Sequence, residues 1–151
     1  MRKKAPVYLI PFSHLDLFWA GTREECLSRG AEIIFTALRL LGKYPDYHFM
    51  IEAVNFLDYF CSAWPDQIPA LKRFLTERRL EICPARSLIY TQLPSGETLV
   101  RNYLYGREIC ERLFGFSGKT ATLSDIPGIT PQLPQITAKA GFTGLFLSHG
   151  C

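Results

Sequence analysis

What the chain has little of narrows its class before any motif is weighed. It has three histidines and two tryptophans in 151 residues, and only 21% of its residues are charged. Lys and Arg number 17 against 14 Asp and Glu, so the formal charge of +3 marks out no phosphate backbone or acidic lipid surface as a partner. Neither nucleic acid nor a membrane is expected to bind it. No apolar run approaches the ~20 residues of a membrane helix. The basic start and the apolar stretch to Phe12 resemble a secretory leader, but His14 and Asp16 interrupt it and no small-residue cleavage site follows. The five cysteines (Cys26, Cys61, Cys83, Cys110, Cys151) are odd in number, widely spaced and without a Cys-x-x-Cys pair. That excludes a disulfide framework and a zinc ribbon, and points to reduced thiols in a cytoplasmic protein. Repeats, low-complexity tracts and charge blocks are missing as well.

What is present is a globular composition: 48% apolar residues, enough for a sizeable core, and 13% aromatic residues, which suffice to wall a pocket as well as fill a core. Residues 7–13 are a short apolar run expected as a buried strand, with Pro11 in its middle. Thr22 to Glu25 form a capping box, and Leu27, Ala31, Ile34, Leu38 and Leu41 follow at helical spacing until Gly42 and Pro45. Residues 47–53 read as a second strand. Asp66 is expected to cap a helix with Pro69 in its first turn, and residues 80–84 form a third strand. A helix runs from Ser95 to Gly115, with Glu97/Arg101, Arg107/Glu111 and Glu108/Arg112 on its wet side. Residues 120–124 are a fourth strand, Thr130 and Pro131 open a helix ended by Gly141, and residues 143–148 are a fifth strand.

Alternation of this kind belongs to the α/β class, with parallel strands either doubly wound or rolled into a β/α barrel. In both, ligands lie at the carboxyl ends of the strands. The residues just past each strand are then the candidates: His14 and Asp16, Glu52 and Asn55, Arg86 and Tyr90, Asp125, and His149. In His14-Leu15-Asp16 alternate residues of an extended exit point the same way, so imidazole and carboxylate can converge. With Asp125 they make a nitrogen-and-oxygen set suited to zinc with open positions, although each residue alone has a bland reading as a cap or turn residue. Trp19 fits either a core or a platform for a sugar ring, and Arg86 either a surface cation or a substrate clamp. Glu52 suits a general acid or a strand-closing carboxylate bonded to backbone amides. His149 gains attention only because histidine is scarce.

Four ordered stretches carry a family likeness: Ser13 to Trp19 with Gly21 to Glu25, Leu93 to Glu97, Val100 to Gly106, and Ser124 to Gly128 with Thr130 to Ile136. Together they resemble the N-terminal domain of family-38 glycoside hydrolases, the class II α-mannosidases, over nearly the whole chain. The resemblance implies a seven-stranded β/α barrel, incomplete here with five strands alternating with helices, and residues 1–151 as the first part of its catalytic domain. It implies a retaining α-mannosidase acting on α-mannosides or oligosaccharides, with Zn2+ as cofactor. By position in the motifs, His14 and Asp16 would be zinc ligands, and Asp125 both ligand and catalytic nucleophile. Trp19, Arg86 and Tyr90 are the expected substrate contacts. Phe12 replaces the family's first His, and Arg86 stands where the family has a Trp. The last zinc ligand and the acid/base carboxyl are expected beyond residue 151, in the remaining domains of a full-length enzyme that leaves homo-oligomer formation open. Competing readings are a truncated, non-catalytic metal- or sugar-binding fragment and another metal-dependent barrel hydrolase such as a deacetylase. Since five strands cannot close a barrel, an exposed apolar sheet edge and poor solubility of the isolated chain are expected.

Overall fold

The computed structural model describes residues 5–148. Its first helix, α1 (Arg23–Lys43), starts where the capping box requires: Glu25 N–H donates to Thr22 Oγ1 at 3.3 Å, and the Thr22 N–H donates to Glu25 Oε2 at 2.7 Å. Its buried stripe includes Cys26, Leu27, Ala31, Ile34, Leu38 and Leu41. Gly42 does not end it. The helix runs on to Lys43, and Arg79 takes up its last carbonyls, donating to Leu41 O at 2.7 Å and to Tyr44 O.

Strand β1 (Phe49–Ile51) follows, and then α2 (Val54–Ala63), a helix in a stretch to which the sequence assigned no element. It has no capping side chain at Ala53 and is held instead by its apolar residues, with Val54, Leu57 and Phe60 fully buried. Gly30 lets α1 and α2 approach closely, because a Cβ there would stand 2.5 Å from Phe56 Cδ1. A single 3-10 turn at Pro65–Gln67 takes up Asp66, and α3 (Ile68–Thr76) begins after it with Pro69 in its first turn. Strand β2 (Leu80–Ile82) pairs in parallel with β1, Phe49 opposite Leu80 and Ile51 opposite Ile82.

Helix α4 (Gly96–Phe114) carries the expected caps: the Thr98 N–H donates to Ser95, and Gly115 adopts a left-handed φ of 77°. Strand β3 (Thr120–Ser124), α5 (Leu133–Lys139) and β4 (Gly144–Ser148) complete the described chain, with β3 and β4 paired in parallel from Thr120–Gly144 to Ser124–Ser148. The α5 helix opens at Leu133, not at Pro131.

The expected five-stranded barrel segment is not what forms. Among the described residues there are two separate two-stranded parallel sheets, with no ladder joining them. The first predicted strand is reduced to one bridge, Phe12 to Met50, because Pro11 has no N–H to extend a ladder. Val7, Tyr8 and Leu9 are each more than 80% exposed instead of forming a buried strand. Helix packing takes over the role of the missing ladder. One core gathers α1, α2, α3 and the first sheet around Leu57, Phe60, Leu71 and Ile82. A second gathers Ala85, Tyr103, Ala121, Leu123, Leu133 and Phe142. Helix α4 belongs to both, through Cys110 and Tyr103. None of the described helices is long and apolar enough to cross a membrane.

The thiols of Cys26, Cys61, Cys83 and Cys110 are free and buried. Burial pushes the Cys61 and Cys110 thiols and the Tyr103 phenol each up to about 12. An unfolded thiol ionises near ~8.5, so on raising the pH the unfolded chain sheds protons that the folded chain keeps. Their contribution to stability is complete below that value and is lost progressively toward pH 12. The urea midpoint is therefore expected to fall between pH 8 and pH 10, with these four thiols labelling at pH 8 only after unfolding. Rapid labelling of all four in the folded chain would contradict this burial.

Candidate active site

The chain before α1 meets β1 at the Phe12 bridge, where the Met50 N–H donates to Pro11 O at 2.9 Å. Its side chains alternate. Leu15 and Leu17 pack against the cluster of Cys26, Leu27 and Phe56, while His14 and Asp16 meet each other, with Nε2 and Oδ1 3.5 Å apart. On its other side the His14 ring places Nδ1 3.0 Å from Glu52 Oε2. Glu52 follows directly on β1 and is only 4% exposed. Burial above all pushes its carboxyl up to about 7, against the pull of His14, and the carboxylates of Asp16 and Asp125 push the same way as burial.

A cleft of about 430 Å³ opens next to this group, and Asp16, Phe18, Trp19, Asn55, Tyr90 and Asp125 are among the residues lining it. Trp19 is 83% exposed, which removes the core reading of that residue. Tyr90 also lines the cleft, as expected of a substrate contact, and Phe18 adds an aromatic wall that the sequence reading passed over. Phe18 and Asp125 both have left-handed backbones, with φ of 73° and 54°. Such conformations are uncommon outside glycine and gather at functional sites. Asp125 is fixed as it leaves β3: its N–H donates to Ser148 O at 2.9 Å.

Other elements hold the loops that shape the cleft. Asn102 on α4 clamps the loop after β2 by accepting from the Ser87 N–H at 3.0 Å and donating to Ser87 O at 2.9 Å. Gly106 lets α4 come this close, since a Cβ there would stand 2.3 Å from Pro84 O. Thr91 ties in the loop after β3, accepting from the Thr130 N–H at 2.9 Å. The sequence signal for Asn102 was its place in the Val100 to Gly106 stretch, but only the fold reveals its clamp.

Arg86 departs from expectation. Its guanidinium donates to Asp58 Oδ2 on α2 at 2.9 Å, Arg112 holds the other oxygen at 3.1 Å, and Arg86 does not line the cleft. Asp58 offers a charged partner that a substrate clamp would have to give up. His149 lies outside the described residues.

The structure thus brings His14 and Asp16 together and places Asp125 on the same cleft. The buried His14 Nε2 has no hydrogen-bond partner among the described residues. An imidazole that donates its Nδ1 proton to a carboxylate presents the Nε2 lone pair, and with Asp16 Oδ1 beside it this donor pair fits a divalent metal ion. Among the described residues, no group of three His, Cys, Asp or Glu is gathered closely enough to hold a metal by itself.

The sequence model described as "Glycosyl hydrolases family 38 N-terminal domain" matches residues 4–150. The chain belongs to glycosyl hydrolase family 38. It is 25% identical over 136 residues to alpha-mannosidase G of Dictyostelium discoideum, covering 89% of this chain and 12% of that protein. It is 28% identical over 141 residues to alpha-mannosidase 2C1 of Homo sapiens, covering 91% of this chain and 12% of that one. The crystal structure of an alpha-mannosidase from Enterococcus faecalis V583 superposes with a TM-score of 0.81 at 26% identity, over 91% of this chain and 16% of the other. This family-38 chain therefore spans about one-eighth of the length of these curated relatives, and its cleft lies within the matched region.

The Asp58 pair gives a direct check on Arg86. A double-mutant cycle in urea with Arg86→Ala and Asp58→Ala is expected to show a coupling of about 0.2–1 kcal/mol, the range for partly exposed pairs. Zero coupling would leave Arg86 free to turn toward the cleft.

Proposed function

We propose that the full-length protein is a retaining, zinc-dependent α-mannosidase and that this chain supplies the nucleophile and the first metal ligands of its active site. The observation that carries this reading is that Asp16, with His14 Nε2 3.5 Å from its Oδ1, lines the same aromatic-walled cleft as Asp125 in a family-38 chain with relatives named alpha-mannosidases.

In this reading a mannosyl ring lies against Trp19 and Tyr90, whose exposed faces suit the apolar face of a pyranose. The Asp125 carboxylate attacks the anomeric carbon as the glycosidic bond breaks, and the departing oxygen takes a proton from an acid carboxyl elsewhere in the full-length protein. Water then cleaves the glycosyl ester on Asp125, with the same second carboxyl now acting as base, so configuration is retained. His14 and Asp16, with Asp125, would hold zinc, which when bound supplies Lewis-acid binding of the sugar hydroxyls. The left-handed backbone at Asp125 and its N–H bond to Ser148 keep the carboxylate aimed at the cleft without a large search of conformations. Glu52 is only 4% exposed and its Oε2 lies 3.0 Å from His14 Nδ1, which argues against the general-acid role considered for it.

The donor group, incomplete among the described residues, supports a second reading for the 151 residues in isolation: weak binding of metal or sugar without turnover. Both readings meet in one assay of the full-length protein on a synthetic α-mannoside. Activity is expected to disappear with a chelator and return with Zn2+, and Asp125→Asn is expected to lower kcat by roughly 10³-fold or more. Undiminished turnover by Asp125→Asn would overturn the assignment.

A further inference from the structure

Glu52 has no part in the chemistry just described, yet it is the most deeply buried carboxylate of the site. A carboxylate closing a strand is ordinarily held by backbone amides. Here the partner of Glu52 is His14, whose Nδ1 stands 3.0 Å from Oε2, while Glu52 Oε1 has no partner among the described residues. No Lys or Arg among them pairs with it either; its ion-pair partner is His14. A buried acidic group left with a single protein donor costs folding free energy, which makes a purely structural role a poor explanation.

The two residues differ in how firmly they are held. Glu52 follows a strand in a paired register, and the Cys83 N–H donates to Ile51 O at 2.9 Å immediately before it. His14 lies on a segment tied to β1 by one bridge at Phe12. The rigid partner therefore sets the ring of the less constrained one. A neutral imidazole has one N–H. If that proton sits on Nδ1 and is donated to Glu52, the Nε2 lone pair must face away from Glu52, toward Asp16 Oδ1 at 3.5 Å. A ring flipped by half a turn would put Cδ2 beside Glu52 and Cε1 beside Asp16, losing both contacts.

We propose that Glu52 is the positioning residue of this site: it accepts the Nδ1 proton of His14 and so presents Nε2, next to Asp16, to the metal ion. This rests on the reading of His14 as a metal ligand. It assigns Glu52 an effect on metal retention that acts wholly through His14, with no contact between Glu52 and the sugar.

The test measures zinc affinity of the full-length protein by competition with a chromophoric chelator, in Glu52→Met, Glu52→Gln, His14→Ala and the Glu52→Met/His14→Ala double variant. Met keeps the volume and removes the acceptor, whereas the Gln amide oxygen can still accept from Nδ1. Glu52→Met is expected to weaken zinc binding about 10–100-fold, the usual effect of losing a partner of a ligating His. Glu52→Gln should recover most of that loss at an unchanged urea midpoint. The double variant should bind no more weakly than His14→Ala alone. Should Glu52→Met fail to fold, Glu52→Leu replaces it in the same comparison. Equal losses in the Met and Gln variants, or additive losses in the double variant, would overturn the positioning role while leaving His14 as a ligand. Unchanged affinity in His14→Ala would overturn the metal reading and, with it, this proposal.

Discussion

The contact between His14 and Glu52 is the constraint on which the site depends. The described residues before α1 reach the body of the protein through a strand-like bridge at Phe12, the Phe12–Phe146 ring contact, two packed leucines, the Arg29 side chain donating to Ala20 O, and the His14–Glu52 contact, which alone fixes the imidazole. The alternation of that segment divides its work: Leu15 and Leu17 pack on the cluster from α1 and α2, while His14 stands between Glu52 and the cleft-lining Asp16. Packing provides the anchoring force and hydrogen bonding provides the direction.

Around this contact the fold serves mainly to hold loops. Helix α4 joins two apolar cores that no sheet connects, and from that position Asn102 fixes the loop after β2 while Gly106 permits the close approach. Thr91 and Ser148 perform the same service for the turn carrying Asp125. The loops around the cleft are thus held by hydrogen bonds from the Asn102 and Thr91 side chains to backbone and by one backbone bond at Asp125, none of which involves the exposed aromatic side chains.

How much of this was legible in the sequence varied with the kind of signal. Local chemistry read well: the capping box at Thr22, the Ser95 cap and Gly115 bound their helices as expected, and residues 120–124 form the strand assigned to them. Helix α2 was not seen, because it follows β1 without a capping residue and its apolar positions merge with those of the strand. The barrel expectation failed on a non-local property. Alternating strands and helices indicate parallel pairing, and the pairings are parallel, but strand-to-strand ladders depend on register and length, and Pro11 removed one of the strands. Of the candidate residues, Asp16, Trp19, Tyr90 and Asp125 line one cleft, and His14 meets Asp16 beside it; their places after strands or in the family stretches had singled them out. The pairing of Arg86 with Asp58, 28 positions away in a helix left unassigned in the sequence, had no local signal. Neither had the contact of Glu52 with His14, since 38 positions separate two residues that only the placing of the first segment against β1 brings together.

The central claim is that His14 Nε2 and the carboxylates of Asp16 and Asp125 form the metal-binding side of a sugar cleft. An anomalous difference map at the zinc absorption edge, from crystals of the full-length protein grown with Zn2+, tests it most directly. The account predicts a peak bonded to His14 Nε2 and to the Asp16 and Asp125 carboxylates, with Glu52 still on His14 Nδ1. A peak held elsewhere, or a His14 ring turned so that Nε2 meets Glu52, would contradict it.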